Sequence, residues 1–511
     1  MQGAFPRTAP PPRRGPAAAT ASSPPAARLA PGRKLRLGLG LGLGLGLAAL
    51  AGCAVGPDHR QPAPDTPAAF RPAASGTNDL ANPRSLADLD WAQVLPDPRL
   101  REYVAEALTN NWDLRVATAR VLQAGAGVRL ARAPFFPTVS AGADWTTART
   151  SRNGPAGNPP DPQKEFTTVA GTMAGYELDL WGRLRRANEA ARARLLATEH
   201  ARHTIRQTLV AQVASAYLGL LELDFELEIA RRTRSVRTNS LALTIAREEG
   251  GITSLQDVHQ SRTLVAAAEA AIADTLRQVE QQENALGLLL GRNPGPLARG
   301  EGFDGQHLDL AVPPGLPSSL LGRRPDIRAA EQQLVAANAD VGKARAAFFP
   351  RVQLTGFSGF QSVSLSDLFH GASGLWQFGP SVTVPVFTGG ALRGNLQLAR
   401  ARFDEALAQY QKTVQASFRE VSDSLIAYQR TREFRARQEE RTAAQRGAAQ
   451  LAALRYQGGV TSYLEVLYHE QELFSAELSL ARARLAELLS VVSVYRALGG
   501  GGQAAPPLAR D

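Results

Sequence analysis

His200 and His203 lie three residues apart, a spacing that would let one helix face offer both imidazoles to a metal ion. No third ligand lies nearby in the sequence, and ordinary solvated helix positions account for both. His469-Glu470 lacks the second histidine of a zinc-protease motif, and the other histidines, His59, His259, His307 and His370, are scattered. The Leu-Gly run from Leu37 resembles a glycine-rich phosphate loop, but no strand-like segment precedes it and no Lys-Ser or Lys-Thr follows. A Gly-x-Ser-x-Gly elbow is absent. The expectation is no catalysis, no metal and no cofactor.

Cys53, the single cysteine, carries a different chemistry. Arg33, Lys34 and Arg36 are followed by the apolar run Leu37 to Leu50 and then by Leu50-Ala51-Gly52-Cys53. A basic stretch, a short apolar stretch and small residues at the exit read as a secretory signal over residues 1–52. The last four residues look like a bacterial lipobox, in which the thiol is lipidated and becomes the mature N-terminus. Ala54, rather than Asp, at the next position fits a lipoprotein sent to the outer membrane.

One cysteine leaves no disulfide framework, and no run of 18 apolar residues follows the leader, which argues against a polytopic helical membrane protein. The net charge of +10 does not indicate nucleic-acid binding. Seven Lys or Arg and no acid lie in residues 1–52, which leaves 50 basic against 47 acidic residues beyond them.

The elements that follow are organised by a duplication. After a Pro- and Ala-rich tether over residues 53–90, Asp113-Leu-Arg-Val-Ala through Ala131-Arg-Ala-Pro-Phe-Phe-Pro137 matches Asp326-Ile-Arg-Ala-Ala through Ala344-Arg-Ala-Ala-Phe-Phe-Pro350. Arg247-Glu-Glu-Gly-Gly-Ile-Thr-Ser254 matches Arg455-Tyr-Gln-Gly-Gly-Val-Thr-Ser462. Landmarks agreeing at both ends of a unit mark a tandem repeat. The expected divisions are a first repeat over 91–290, a linker over 291–317, a second repeat over 318–500 and a tail over 501–511.

In each half a helical segment (Asp97 to Ala133; Pro325 to Ala347) stops at Phe-Phe-Pro, two strands follow, and a long helix ends at a Gly-Gly turn. Leu184 to Glu249 and Ala391 to Gln457 contain no proline, so each predicts a helix about 100 Å long. Ile205, Leu209, Val213, Ala216, Leu220, Leu223, Leu227 and Ala230 predict a single coiled-coil seam on the first. Val139 to Trp145, Phe166 to Leu180, Val352 onward and Trp376 to Val386 predict four strands with period-2 alternation and the length of membrane-spanning strands. Four strands cannot close a membrane barrel, so several chains must: two give eight strands, three give twelve, and only the larger leaves a lumen.

Gly315-Leu-Pro-Ser-Ser-Leu-Leu-Gly-Arg-Arg-Pro-Asp-Ile327, Ala344 to Pro350, Pro385-Val-Phe-Thr-Gly-Gly390, Glu177-Leu-Asp-Leu-Trp-Gly-Arg183 and Asp97-Pro-Arg-Leu100 resemble the outer-membrane factor family. These are the TolC-like exit ducts of tripartite efflux and type I secretion systems, and the lipoprotein branch serving drug-efflux pumps is the most similar. The resemblance spans about Trp91 to Gly500. It implies a mainly α fold with membrane β: a homotrimer whose 12-stranded barrel continues into a periplasmic α-helical barrel. It also implies a lipid-anchored protein of the bacterial outer membrane reaching into the periplasm, with a periplasmic adaptor (membrane fusion) protein and an inner-membrane proton-driven pump as partners. The linker would form an equatorial belt. Type I protein export and a purely structural periplasmic coiled coil remain as alternatives.

Both Gly-Gly turns are expected at one periplasmic tip, with Gly250, Gly251, Gly458 and Gly459 reversing the chain and Thr253-Ser254 and Thr461-Ser462 capping the next helices. In the family, polar links and side-chain rings narrow the pore here and the tip meets the adaptor. The matching positions are Arg455, Tyr456 and Leu464, with Arg247, Asp257 and Glu465 beside them; Tyr468 stands where close relatives have an acidic residue.

Overall fold

The computed structural model describes residues 54–63, 66–67, 89–149, 164–306 and 319–500. The leader with Cys53, the segment 150–163, residues 307–318 and the tail lie outside them.

Asp97 opens the first sizeable helix by accepting from the Arg99 and Leu100 amides at 2.7 and 3.3 Å, with Pro98 pre-set at the first helical position. The helix expected over 97–133 is two helices. After a short α1 (Trp91–Val94), α2 (Pro98–Asn110) stops and α3 (Trp112–Arg132) starts at Asn111, whose ψ of 131° leaves the helical region. The Asn111 side chain accepts from the Leu114 amide at 3.1 Å and donates to the Leu289 carbonyl at 3.0 Å. Buried, it satisfies itself by ending one helix and capping the next.

α3 runs out at Phe-Phe-Pro and β1 (Thr138–Arg149) begins, followed by β2 (Lys164–Leu178) and α4 (Arg183–Glu249). α5 (Leu255–Leu290) returns along α4. The second half repeats the order: α6 (Ser319–Arg323), α7 (Pro325–Ala346), β3 (Arg351–Ser362), β4 (Gly374–Thr383), α8 (Ala391–Gln457) and α9 (Tyr463–Ala497). β4 ends at Thr383 instead of reaching Val386, because Thr383 already pairs with Arg351, the first residue of β3, and the ladder has no partner beyond it.

The strands form one antiparallel sheet, ordered β1-β2-β3-β4. Its register puts the four apolar series on one face. Trp145 opposes Thr168, Ala174 opposes Gly356, Tyr176 opposes Leu354, and Gly356 and Ser358 oppose Phe378 and Trp376. The other face is mostly small and polar: Ser140, Asp144, Gln353, Thr355, Gln377 and Ser381, with Val169, Leu375 and the paired Met173 and Phe357 as exceptions. Gly142, Gly171 and Gly359 face one another across three strands of that polar side. A Cβ on Gly359 would collide with the Ala170 carbonyl oxygen and sit 2.6 Å from Gly171 Cα, so the backbones approach where only glycine fits. The Phe357 ring covers Gly171, an arrangement that lets a sheet curve.

Each strand is prolonged by a helix, and the helices pack in the strand order, α3 on α4, α4 on α7, α7 on α8. Farther along, α4/α5 and α8/α9 are two hairpins, joined where α9 lies against α4. One core gathers Leu100, Tyr103, Val104, Val213, Tyr217, Leu220, Leu286, Leu290 and Val492; Leu297 and Phe303 of the linker are buried in it. A second gathers Ile327, Leu334, Tyr410, Val414, Val421 and Val494. The single seam predicted for α4 is too narrow. Val210, Ala214, Tyr217, Leu218, Leu221 and Ile229 are buried as well, because α2, α3, α5, α7 and α9 all pack on this helix. α4 also holds the one described segment long and apolar enough to cross a membrane, and half of that window is buried in the protein.

The Arg-Arg-Pro-Asp run ties the second half together. Arg324 is buried and donates to the Asp326 carboxylate, to Glu420 of α8 at 2.8 Å and to the Ala497 carbonyl of α9 at 3.0 Å.

Candidate functional site

Two regions bring the sequence motifs together, one where strands become helices and one at the hairpin turns.

At the first, β2 passes into α4 through Asp179, whose carboxylate accepts from the Leu184 and Arg185 amides at 3.0 and 2.9 Å. Gly182, at φ +77°, makes the turn. Glu177 receives two donors from Arg183, at 2.8 and 2.6 Å, and the Trp181 indole donates to the Pro350 carbonyl at 2.8 Å while stacking on Phe349. Trp181 thus fastens the first repeat to the second. The tether docks on the same spot: the Val55 amide donates to the Trp181 carbonyl at 3.1 Å, Asp58 pairs with Arg186 at 2.7 Å, and Asn338 donates to the Pro57 carbonyl at 2.9 Å. Gly56 lies so close to Gly342 that a Cβ would fall 2.5 Å from the Gly342 Cα.

The duplicate of this junction, Pro385 to Gly390, is bare. Val386 and Phe387 are 94% and 90% exposed, and Gly389 and Gly390, both at positive φ, have open space around them. β4, the strand leading into it, is an edge of the sheet.

At the second region the two turns are built alike. Gly251 and Gly459, at φ +71° and +73°, supply the left-handed residue, while Gly250 and Gly458 remain in right-handed conformation at the helix ends. The Ile252 and Val460 amides donate back to the Arg247 and Arg455 carbonyls at 2.8 and 2.9 Å, the double-bonded helix stop expected of such a glycine. Ser254 caps α5 as expected, forming a reciprocal box with Asp257, and Thr253 also bonds Asp257. Ser462 makes no cap bond; Thr461 bonds Glu465 instead, so the repeat preserves the turn and not the cap.

The predicted tip residues divide by what they hold. Arg455 pairs with Glu465 at 2.9 Å, within its own hairpin. Arg247 crosses to the other hairpin: its guanidinium lies 4.5 Å from the centre of the Tyr456 ring and donates to the Tyr456 carbonyl. Tyr456 packs against Tyr463, with Val466 and Leu467 beneath. Leu464 and Tyr468 point outward, 65% and 60% exposed.

The sequence did not disclose what joins the hairpins above the tip. Ser240 reaches Glu470 at 3.4 Å, Arg237 reaches Gln471 at 3.0 Å, Arg232 reaches Glu477 at 2.7 Å, and Glu226 receives Arg482 at 2.8 Å. Burial lowers the pKa of Arg237 and raises that of Glu470, the two partly compensating each other. The α4–α9 contact is therefore apolar near Leu220 and Val492 and polar toward the turns. No local pattern marks these residues, since their partners lie more than 200 positions away.

The family model described as outer membrane efflux protein matches residues 103–292 and again 316–500, once per repeat. The toluene efflux pump outer membrane protein TtgF of Pseudomonas putida is 39% identical over 461 residues, covering 89% of this chain and 95% of that protein. The solved outer-membrane channel OprN superposes with a TM-score of 0.81 at 33% identity, over 88% of this chain and 100% of that one. The open state of the Neisseria gonorrhoeae MtrE outer membrane channel gives 0.79 at 32% identity, over 88% and 98%.

Proposed function

This chain belongs to the outer membrane efflux protein family, and from that premise we propose that three copies of it form the outer-membrane exit duct of a tripartite efflux pump. The observation that carries this is the four-stranded sheet, apolar on one face, with both edges open. Unpaired edges are prohibitively costly in lipid, so copies must join edge to edge. Twelve strands leave a lumen; eight would fill it with side chains. The bare β4–α8 junction supports a neighbour at that edge, and the small, polar face of the sheet suits the interior of a water-filled barrel.

The duct is passive, as a channel rather than an enzyme, and an inner-membrane proton-driven pump supplies the energy through a periplasmic adaptor docked at the tip. TtgF is named for toluene efflux, and small toxic or antibiotic compounds are the cargo we assign here. Cys53 carries the lipid: Ala54 and Val55 lie against Gly182 and Trp181 just below the sheet, where a lipidated neighbour meets the periplasmic leaflet. At the tip, Arg247 and Tyr456 hold the hairpins together, and the MtrE channel, solved in an open state, supports a tip that moves.

Native mass spectrometry of membrane-extracted protein should give three protomers, each with a lipidated Cys53; a stable monomer retaining its sheet would overturn the closure argument. In planar bilayers, Arg247→Ala should raise conductance several-fold. Arg455→Ala should change it less, since Glu465 is in the same hairpin. Equal effects would place the constriction away from the Arg247–Tyr456 contact.

A further inference from the structure

The duplication repeats a short element where helix turns into strand: Arg132-Ala-Pro-Phe-Phe-Pro137 and Arg345-Ala-Ala-Phe-Phe-Pro350. Each arginine lies in the last turn of its helix, α3 or α7, three residues before an aromatic pair. The carboxylates at this level are already engaged: Glu177 by Arg183, Asp179 by Arg185, Asp58 and Glu189 by Arg186, and Asp340 by Arg194. Among the described residues, the Arg132 and Arg345 guanidinium groups meet no hydrogen-bonding or ionic partner. A helix C-terminus favours a cation, but that does not call for an exposed aromatic beside each one: the second ring of the first pair, Phe136, is 60% exposed, and in the second pair, where Phe349 stacks on Trp181, it is the first ring, Phe348, at 39%.

The direction of Arg345 follows from the tether, and Arg132 is its equivalent in the duplication. Asn338 and Gly342 carry residues 56 and 57, and Arg345 is one turn farther along the same face of α7. It therefore points to the side from which the anchored N-terminus arrives. Arg351 is different: it shares the polar face of β3 with Gln353 and Thr355 and is not part of this group.

We propose that Arg132 and Arg345 grip the phosphate of anionic phospholipids in the periplasmic leaflet of the outer membrane, with Phe136 and Phe348 seated in the interface beside them. Arginine suits a phosphate because its planar fork offers two parallel donors. Cations beside a membrane surface draw anionic lipid, and aromatics collect at the headgroup level. This rests on the reading that the sheet crosses that membrane.

The test is lipid retention by the full-length assembly, measured by native mass spectrometry after exposure to phosphatidylglycerol, phosphatidylcholine or lipid A, with conductance recorded in parallel. Phosphatidylglycerol should be retained preferentially. Arg132→Gln with Arg345→Gln should weaken that retention about thirty-fold per protomer, each single change about fivefold, and Arg→Lys at both should keep most of it. Conductance should not change. Equal retention of phosphatidylglycerol and phosphatidylcholine by the wild type, or an undiminished preference in the glutamine variants, would overturn the proposal. A preference for lipid A would assign the wrong leaflet, and altered ion selectivity with lipid retention intact would place the arginines in the lumen; either overturns it too. Wild-type protein that retains phosphatidylglycerol yet carries no current would leave the grip standing and refute the duct.

Discussion

Glu222 and Glu226 sit one turn apart on α4, each 4% exposed, with one arginine, Arg482, reaching Glu226. Burial, and then the neighbouring Glu226, pushes the Glu222 carboxyl up to about 8. A raised pKa means that the folded chain holds a proton the unfolded chain releases in the ordinary carboxylate range. The resulting stability is fully present below the ordinary carboxylate range and is lost progressively as pH climbs from there to about 8. The thermal midpoint of the wild type should drop as pH rises from about 4.5 to about 8 and level off above that, and Glu222→Gln should flatten that slope. An identical slope in the variant would move the titration to another group. Nothing near Glu222 in the sequence announces its burial: a glutamate on a long charged helix reads as a solvated position, and α9, some 260 residues on, covers it.

At the scale of elements, the sequence was most legible where the physics is local and repeated. Long proline-free runs ended at the Gly-Gly turns where expected, and strict alternation placed β1, β2 and β4 on the correct face. It was least legible where one side chain decides between two local conformations. Asn111 interrupts a helix whose flanks are both good helix formers, because it can satisfy its buried amide only against Leu289 and Leu114. Asn111→Ala removes the cap and leaves the Leu289 carbonyl without this donor, a loss of about 2 kcal/mol. This should appear as a lower thermal midpoint with unchanged conductance. A variant as stable as the wild type would mean that the break is dictated by packing of α2 against α4 and α5 alone. The breadth of the α4 core was illegible for a related reason, since one helix packed by five others shows no single stripe.

For the molecule as a whole, the duplication gives the two repeats the same plan but not the same surroundings. The first junction is covered by the tether and by Trp181, while its counterpart at Val386 and Phe387 is open. Covered and open copies of one element are what a ring needs if each subunit is to finish its neighbour, which is how a duplicated chain can build a threefold object from sixfold parts.

α4 and α8 are each 67 residues long, and both run from the sheet to a turn. Equal length makes the pair a caliper: two arms measure the same span, so both turns reach one depth and the rim, the docking surface proposed above, is level. Length is therefore a trait the two repeats must change in concert. Removing seven residues from each arm of one hairpin, about 10 Å of reach, should leave the rim tilted and abolish export, measured as cellular resistance to an efflux substrate. The same removal from both hairpins should give a shorter duct with a level rim, and resistance should partly return. If the uneven rim exported as well as the even one, docking would need only a single hairpin, and the matched lengths would be an inheritance of the duplication without mechanical consequence.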